Sequence, residues 1–296
     1  EKTMHETGFV LRGLKDVMMS DFFNTPIFGD IFPQVFRIGG PNFHPISYAY
    51  ALATLAAWLL FGGQWLLPLA ALPLLLVIGS KGATFMLVVA ILAKLAYRRI
   101  GSGPTLAGIV LVSFLWVAAA IGYGATHGDY HVLGFLAGLH DFPTNPLGRG
   151  LGLGGNLSST SLHVDWERAQ ATGATSIPVE SAVGVMLYQM GLASLVFFGF
   201  LAALALAARR LLIKSGKPDF LFAFVAIVTI SANAVLQEEA FFSPLALGFC
   251  LLLAGVAFGT HWREAAGATS GRKVRRALKV RAPMVTSGAA PPLDLP

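Results

Sequence analysis

Residues 105–123 read TLAGIVLVSFLWVAAAIGY and residues 182–208 read AVGVMLYQMGLASLVFFGFLAALALAA, two stretches without a charged side chain. An α-helix crossing the roughly 30 Å hydrocarbon core of a bilayer needs about 20 such residues in succession. Working outward, the segments 45–61, 65–79, 83–97, 220–236 and 244–259 are similarly apolar, which gives about seven spans. The segments 65–79 and 83–97 are short, so one of them is expected to tilt, bend or re-enter. Lipid leaves the backbone polar groups of an open strand unsatisfied, so helix is the state these runs must adopt. The predicted class is all-α, a polytopic transmembrane helical protein.

Composition agrees. Hydrophobic residues make up 55% of the chain and charged residues 12%, too few charges to solvate a water-soluble globule of this length. The formal charge of +6 resides in short clusters between apolar runs and in the tail. No continuous basic face emerges, so nucleic acid is not an expected partner. The lone Cys250 supports neither a disulfide framework nor a thiolate metal site.

Lys and Arg in short connections stay on the cytoplasmic side. The clusters Arg98–Arg99, Arg209–Arg210 with Lys214 and Lys217, and Arg263 with Arg272, Lys273, Arg275 and Arg276 are all satisfied by one topology. It places the segment 1–44, the turn 80–82, the loop 124–181 and the turn 237–243 outside. The chain then divides into a periplasmic segment (1–44), four spans (45–123), a periplasmic loop (124–181), three spans (182–259) and a basic, flexible cytoplasmic tail (260–296). A loop as long as 124–181 marks function or disorder.

Common catalytic motifs are absent. The glycines of 148–155 are spaced like a dinucleotide loop, but no buried strand and crossover helix flank them. The histidines lack the helical i, i+4 pairing of a zinc site. Three basic residues outside stand out against the charge rule: Arg37 before the first span, Lys81 at a turn, and Arg149 in the glycine-rich part of the loop. A guanidinium fork fits phosphate oxygens bidentately, and lysine adds a point charge. Glycines around Arg149 are expected to let backbone N–H groups approach the same anion. The bland alternative pairs each cation with lipid headgroups or with a loop carboxylate such as Asp141 or Asp165. A transfer reaction also needs a base. Glu180, at the outer mouth of the fifth span, is the first candidate, and a helix N-terminus there equally explains a negative charge. His140 and Asp141 come second. Glu238 and Glu239 are expected at the interface, and His44 to set the entry of the first span.

These segments resemble the O-antigen ligase and O-antigen polymerase superfamily, which includes exopolysaccharide polymerases. Arg37-Ile38-Gly39-Gly40 followed by His44-Pro45 is similar to its arginine, glycine and His/Asn-Pro segment. Gly79-Ser80-Lys81-Gly82-Ala83 resembles its Ser-Arg-Gly turn, with lysine for arginine. Asn145-Pro146-Leu147-Gly148-Arg149-Gly150 resembles its Pro-Leu/Phe-Gly-x-Gly stretch, and Glu180-Ser181 through Tyr188-Gln189-Met190-Gly191-Leu192 the segment opening the following span. The resemblance covers about half the chain, and order and common sidedness carry it.

What it implies is a membrane glycosyltransferase fold, with its periplasmic loop over a cavity at the outer leaflet. The implied activity moves glycan from undecaprenyl pyrophosphate to an acceptor glycan at the periplasmic face of a bacterial inner membrane. It uses no metal, nucleotide sugar or other cofactor. Arg37 and Arg149 would bind pyrophosphate with Lys81 in support, and other polysaccharide assembly proteins are further partners. Ligases of the family usually carry histidine where this chain has Glu180, which favours a polymerase. Family members have more spans, so further N-terminal spans are expected. The competing classes are a transporter or flippase for lipid-linked glycan, which calls for ionisable residues deep in the spans, and a scaffold of a polysaccharide export complex. Lys94 is one of the few such residues, close enough to a helix end to snorkel.

Overall fold

The computed structural model describes residues 19–20, 35–40, 44–156, 158 and 164–281. Most of the segment 1–44, and the tail beyond residue 281, lie outside the described residues. A short antiparallel pair, β1 (Met19–Ser20) and β2 (Val35–Phe36), precedes the helices. They are α1 (Pro45–Phe61), α2 (Leu66–Ile78), α3 (Lys81–Ile100), α4 (Ser102–His127), α5 (Tyr130–Asp141), α6 (Trp166–Thr172), α7 (Ala182–Met190), α8 (Ala193–Ser215), α9 (Pro218–Asn233), α10 (Glu239–Phe242) and α11 (Phe249–Arg281). A π-helical turn, Pro244–Gly248, leads into α11.

Helix α9 is the centre. It packs against α8, α3, α4 and α1, and Phe220 through Ile227, with Thr229, Ile230 and Asn233, are buried. A helix apolar on every side belongs inside a bundle, and the Phe220–Asn233 sequence is one. The outer helices show the converse. On α4, Phe114 is 67% exposed, and on α8 Val196 is 76% exposed. At about 25 cal/mol per Å², such faces would be costly in water and are at home in lipid. Three helical stretches, Ser102–His127, Ala193–Ser215 and Pro244–Glu264, are long and apolar enough to cross a membrane. Pro45–Phe61, Leu66–Ile78 and Pro218–Asn233 are apolar but shorter.

Sequence and structure part in three places. The run 182–208 is two helices, because Gly191 at φ 53° breaks it and sits where a Cβ would strike the Pro146 carbonyl. The loop 124–181 contains α5 and α6 and begins only after α4 has run to His127. Helix α11 continues to Arg281 through what reads as an aperiodic tail. The described residues up to Gly255 form one compact unit, and those from Val256 onward, the remainder of α11, form a second.

Candidate catalytic site

The site lies at the end of the bundle where α1 and α3 begin and α9 finishes, held by a polar frame. The Tyr50 hydroxyl of α1 donates to Gln237 Oε1 at 2.5 Å. Asn233 Nδ2, at the end of α9, donates to the Gly82 carbonyl at 2.8 Å, and Trp116 Nε1 of α4 donates to Asn233 Oδ1 at 3.1 Å. Residue 82 must be glycine, because a Cβ there would strike the Tyr50 hydroxyl. Four helices are thus pinned at one level by residues that would otherwise be orphaned in an apolar interior.

Ionisable side chains from four distant parts of the sequence gather on this frame. Arg37, half-buried, donates from Nε to the Ile78 carbonyl at the end of α2, at 2.7 Å. Burial lowers its pKa, opposed by the charges of Glu239 and Tyr130. His44 caps α1: its Nδ1 accepts from the Ser47 N–H at 3.3 Å. That leaves the proton on Nε2, which lies 3.8 Å from Glu239 Oε1. His131 on α5 places Nδ1 3.7 Å from Glu180 Oε2. Burial raises the Glu239 carboxyl, as does Glu180, while His44 and His131 oppose the shift. Burial, then Glu180, Asp129 and Glu239, raise the phenol of Tyr130. Two polar atoms, His131 Nδ1 and Glu239 Oε2, are buried without a hydrogen-bond partner among the described residues. Unpaired buried polar atoms in one cluster call for a ligand or ordered water.

Glu180 occupies a left-handed backbone conformation, φ 61°, unusual for a residue with a side chain. Such strain persists only where surroundings impose it, and it collects at functional sites. Ser181 follows as the N-cap of α7, its side chain accepting from the Gly184 N–H at 3.1 Å. The N-cap acceptor of α7 is therefore a neutral hydroxyl one residue beyond Glu180, not the Glu180 carboxylate. Glycine contacts hold α5 on α7: a Cβ on Gly134 would meet the Val179 backbone, and one on Gly138 the Gly184 backbone.

The remaining sequence candidates lie in other contacts. Arg149 forms an ion pair with Asp141, from Nε at 3.0 Å and Nη2 at 2.6 Å, and lies over the Tyr188 ring. Asp141 is held below the usual carboxylate range, chiefly by that hydrogen bond. The loop-carboxylate pairing weighed from sequence is thus what the structure adopts. The N–H groups of Arg149 and Gly150, expected to face an anion, donate instead to the carbonyls of Tyr188 and Gln189. These bonds dock the segment 145–150 on 188–192, so two of the family-like segments meet. His140 and Asp141 line a separate cleft of about 460 Å³ with Leu133 and Ala174–Ser176. Lys81 is exposed at the first turn of α3. No contact joins Arg149 or Lys81 to Arg37 among the described residues.

Glu238, buried, and Glu239, half-buried, join this cluster at the turn where the sequence expects them, and Tyr130 and His131 are additions. No spacing rule could have found them, since each meets its partner only through tertiary packing. Among the described residues, no three His, Cys, Asp or Glu side chains are arranged to hold a metal.

Beside the cluster runs an apolar cleft of about 660 Å³ between α8 and α9. Val183 and Phe241 line its near end, two to three residues from Glu180 and Glu239, and Arg209 its far end. Comparison of the chain with family models, with characterised proteins and with solved structures finds no match.

Proposed function

We propose that the chain is a membrane glycosyltransferase that moves glycan from undecaprenyl pyrophosphate to an acceptor glycan, as a polysaccharide polymerase or ligase. The observation that carries the reading is the adjacency of the charged cluster to the apolar cleft. A substrate able to use both must join a charged, polar head to a long apolar tail, and a lipid-linked glycan does. Sidedness supports it. Tyr97 near the end of α3 donates to the Gly216 carbonyl after α8 at 3.1 Å, so the basic groups of Arg98–Arg99 and Arg209–Arg210 share one end of the bundle. Helix α3 rises about 30 Å from Lys81 to that end. With the basic end in the cytoplasm, the cluster faces the outer side of the inner membrane.

In this reading, Arg37 offsets the charge that grows on the pyrophosphate as the sugar leaves. The acceptor hydroxyl oxygen attacks the anomeric carbon, and the bond to the pyrophosphate oxygen breaks with its electron pair. The hydroxyl proton passes to the His131–Glu180 pair, with Glu180 as the acceptor named by the sequence. Arg149, with its Asp141 partner beside Tyr188, forms an outer station for the pyrophosphate or the glycan next to it. Lys94 is occupied, bonding the Leu60 carbonyl at the end of α1 and lying over Trp65, which leaves little for a transport reading.

The test is extension of lipid-linked oligosaccharide by the purified protein in lipid, resolved by glycan length. The parent lengthens the glycan, and Arg37→Ala loses at least about a hundredfold in rate, the scale of one lost transition-state donor. Equal products from the two proteins would overturn the reading.

A further inference from the structure

The Glu238 carboxylate is 8% exposed and is not needed as a base, yet it touches a part of the site that the sequence keeps far from it. Its Oε2 accepts from the Asn156 N–H at 2.9 Å. The Gly155 N–H donates to the Pro178 carbonyl at 2.8 Å, so the turn 154–156 lies against 178–180. Gly155 is held at φ 81°, and a Cβ there would come within 2.9 Å of Glu238 Oε1. The missing side chain at 155 is what this carboxylate requires of its neighbour.

We propose that Glu238 is a positioning residue, whose carboxylate clasps the backbone N–H of Asn156 and, through the bond from Gly155 to the Pro178 carbonyl, fixes Glu180 against His131. Without the clasp, one of the contacts that hold the left-handed conformation at 180 against its cost is lost. The peptide then relaxes, and the Glu180 side chain swings away from the imidazole. The glycine-rich turn is released in the same event, because its other support, the Pro178 carbonyl, belongs to the segment that moves. The catalytic consequence rests on the transferase reading above, whereas the clasp itself does not.

The experiment uses the full chain in lipid nanodiscs, as parent, E238A, E238Q and R37A, with two readouts. Amide hydrogen exchange across 154–156 and 178–184 reports the clasp. In E238A these amides should exchange on the order of tenfold faster, the scale of one lost charge-assisted bond. E238Q, which keeps an acceptor oxygen, should recover part of the protection. Extension of lipid-linked oligosaccharide reports the consequence: E238A should lose kcat by about tenfold with KM for the donor unchanged, and E238Q should regain part of it. Unchanged exchange in both variants overturns the clasp, even if R37A is inactive and the transferase reading survives. Faster exchange in E238A together with an R37A variant as active as the parent upholds the clasp and sinks the transferase reading. Faster exchange with an unaltered kcat, where R37A is inactive, overturns the positioning role. Should E238A fail to insert, parent-like exchange and kcat in the isosteric E238Q at pH 8 would count against the proposal, and partial loss of both would support it.

Discussion

At the scale of single residues, two side chains carry testable free energy. Glu180 holds φ 61°, which costs a residue with a Cβ about 1–3 kcal/mol and glycine almost nothing. Glu180→Ala and Glu180→Gly both remove the carboxylate, so their difference isolates the backbone. The glycine variant should be more stable than the alanine variant by about 1 kcal/mol in chemical denaturation, while both lose transfer activity. Equal stability would show that the backbone is not strained there. Glu238 carries the second. Burial lifts its carboxyl from an ordinary 4.5 to about 7, with smaller pushes from Glu239 and Glu180, against the bond from Asn156. A folded pKa above the unfolded one means that the bound proton stabilises the fold. That stabilisation is complete below 4.5 and lost as pH rises through 7, up to ~3 kcal/mol in all. Glu239, also raised, acts in the same direction. The parent should therefore be less stable at pH 8 than at pH 5, and Glu238→Gln should flatten the profile. A parent profile that rises with pH, or a Gln variant with the parent's slope, would contradict this.

At the scale of elements, the contact between α5 and α7 decides whether His131 reaches Glu180. Gly134 and Gly138 face the backbone of Val179 and Gly184 with no room for a methyl group. Gly138→Ala must therefore force the helices apart, at a cost of about 1–3 kcal/mol for overpacking, and carry His131 away from its partner. Gly199→Ala on α8, where a Cβ meets nothing within 4 Å, should leave activity intact and add a few tenths of a kcal/mol through helix propensity. A Gly138→Ala variant as active and as stable as the parent would remove the argument. The same contrast shows how far the sequence could be read. An unbroken apolar run needs no partner to declare itself, so α1, α2, α4 and α9 lie close to their predicted bounds. The break at Gly191 was hidden because it depends on the Pro146 carbonyl, brought there by a loop distant in sequence. Helix α5 looked like loop because its glycines serve close packing rather than turns. Of the candidate site, Arg37 is legible from the rarity of arginine on the outer side, and Glu180 from its place at the mouth of the fifth span. Their neighbours Tyr130, His131, Glu238 and Glu239 are not, because only the packing of α5, α7 and α10 makes them neighbours.

At the scale of the whole molecule, the proposed function rests on a charged cluster at one end and an apolar cleft along the bundle beneath it. Along α8 the cleft runs from Phe198 to Arg209, about 16 Å at 1.5 Å per residue, or half the thickness of a bilayer's hydrocarbon core. A tail lying there is removed from bulk lipid only where the cleft walls contact it. The gain is therefore shape complementarity, which a bulky residue destroys without touching the chemistry. Ala202 lines the cleft one turn of α8 beyond Phe198, so Ala202→Trp should fill it and leave Arg37, His131, Glu180 and Glu239 in place. Displacing two or three methylenes from a fitted wall, at about 0.8 kcal/mol each, predicts a KM for the lipid-linked donor raised on the order of tenfold with kcat little changed. The same glycan on a shortened prenyl pyrophosphate, whose tail does not extend down the cleft, should be used equally by parent and variant. The pair of donors separates tail recognition from head recognition in one measurement of KM. If Ala202→Trp weakens both donors alike, the cleft supports the fold and not the lipid. If it weakens neither, the tail lies on another face of the bundle, and the adjacency on which the transferase reading stands loses its force.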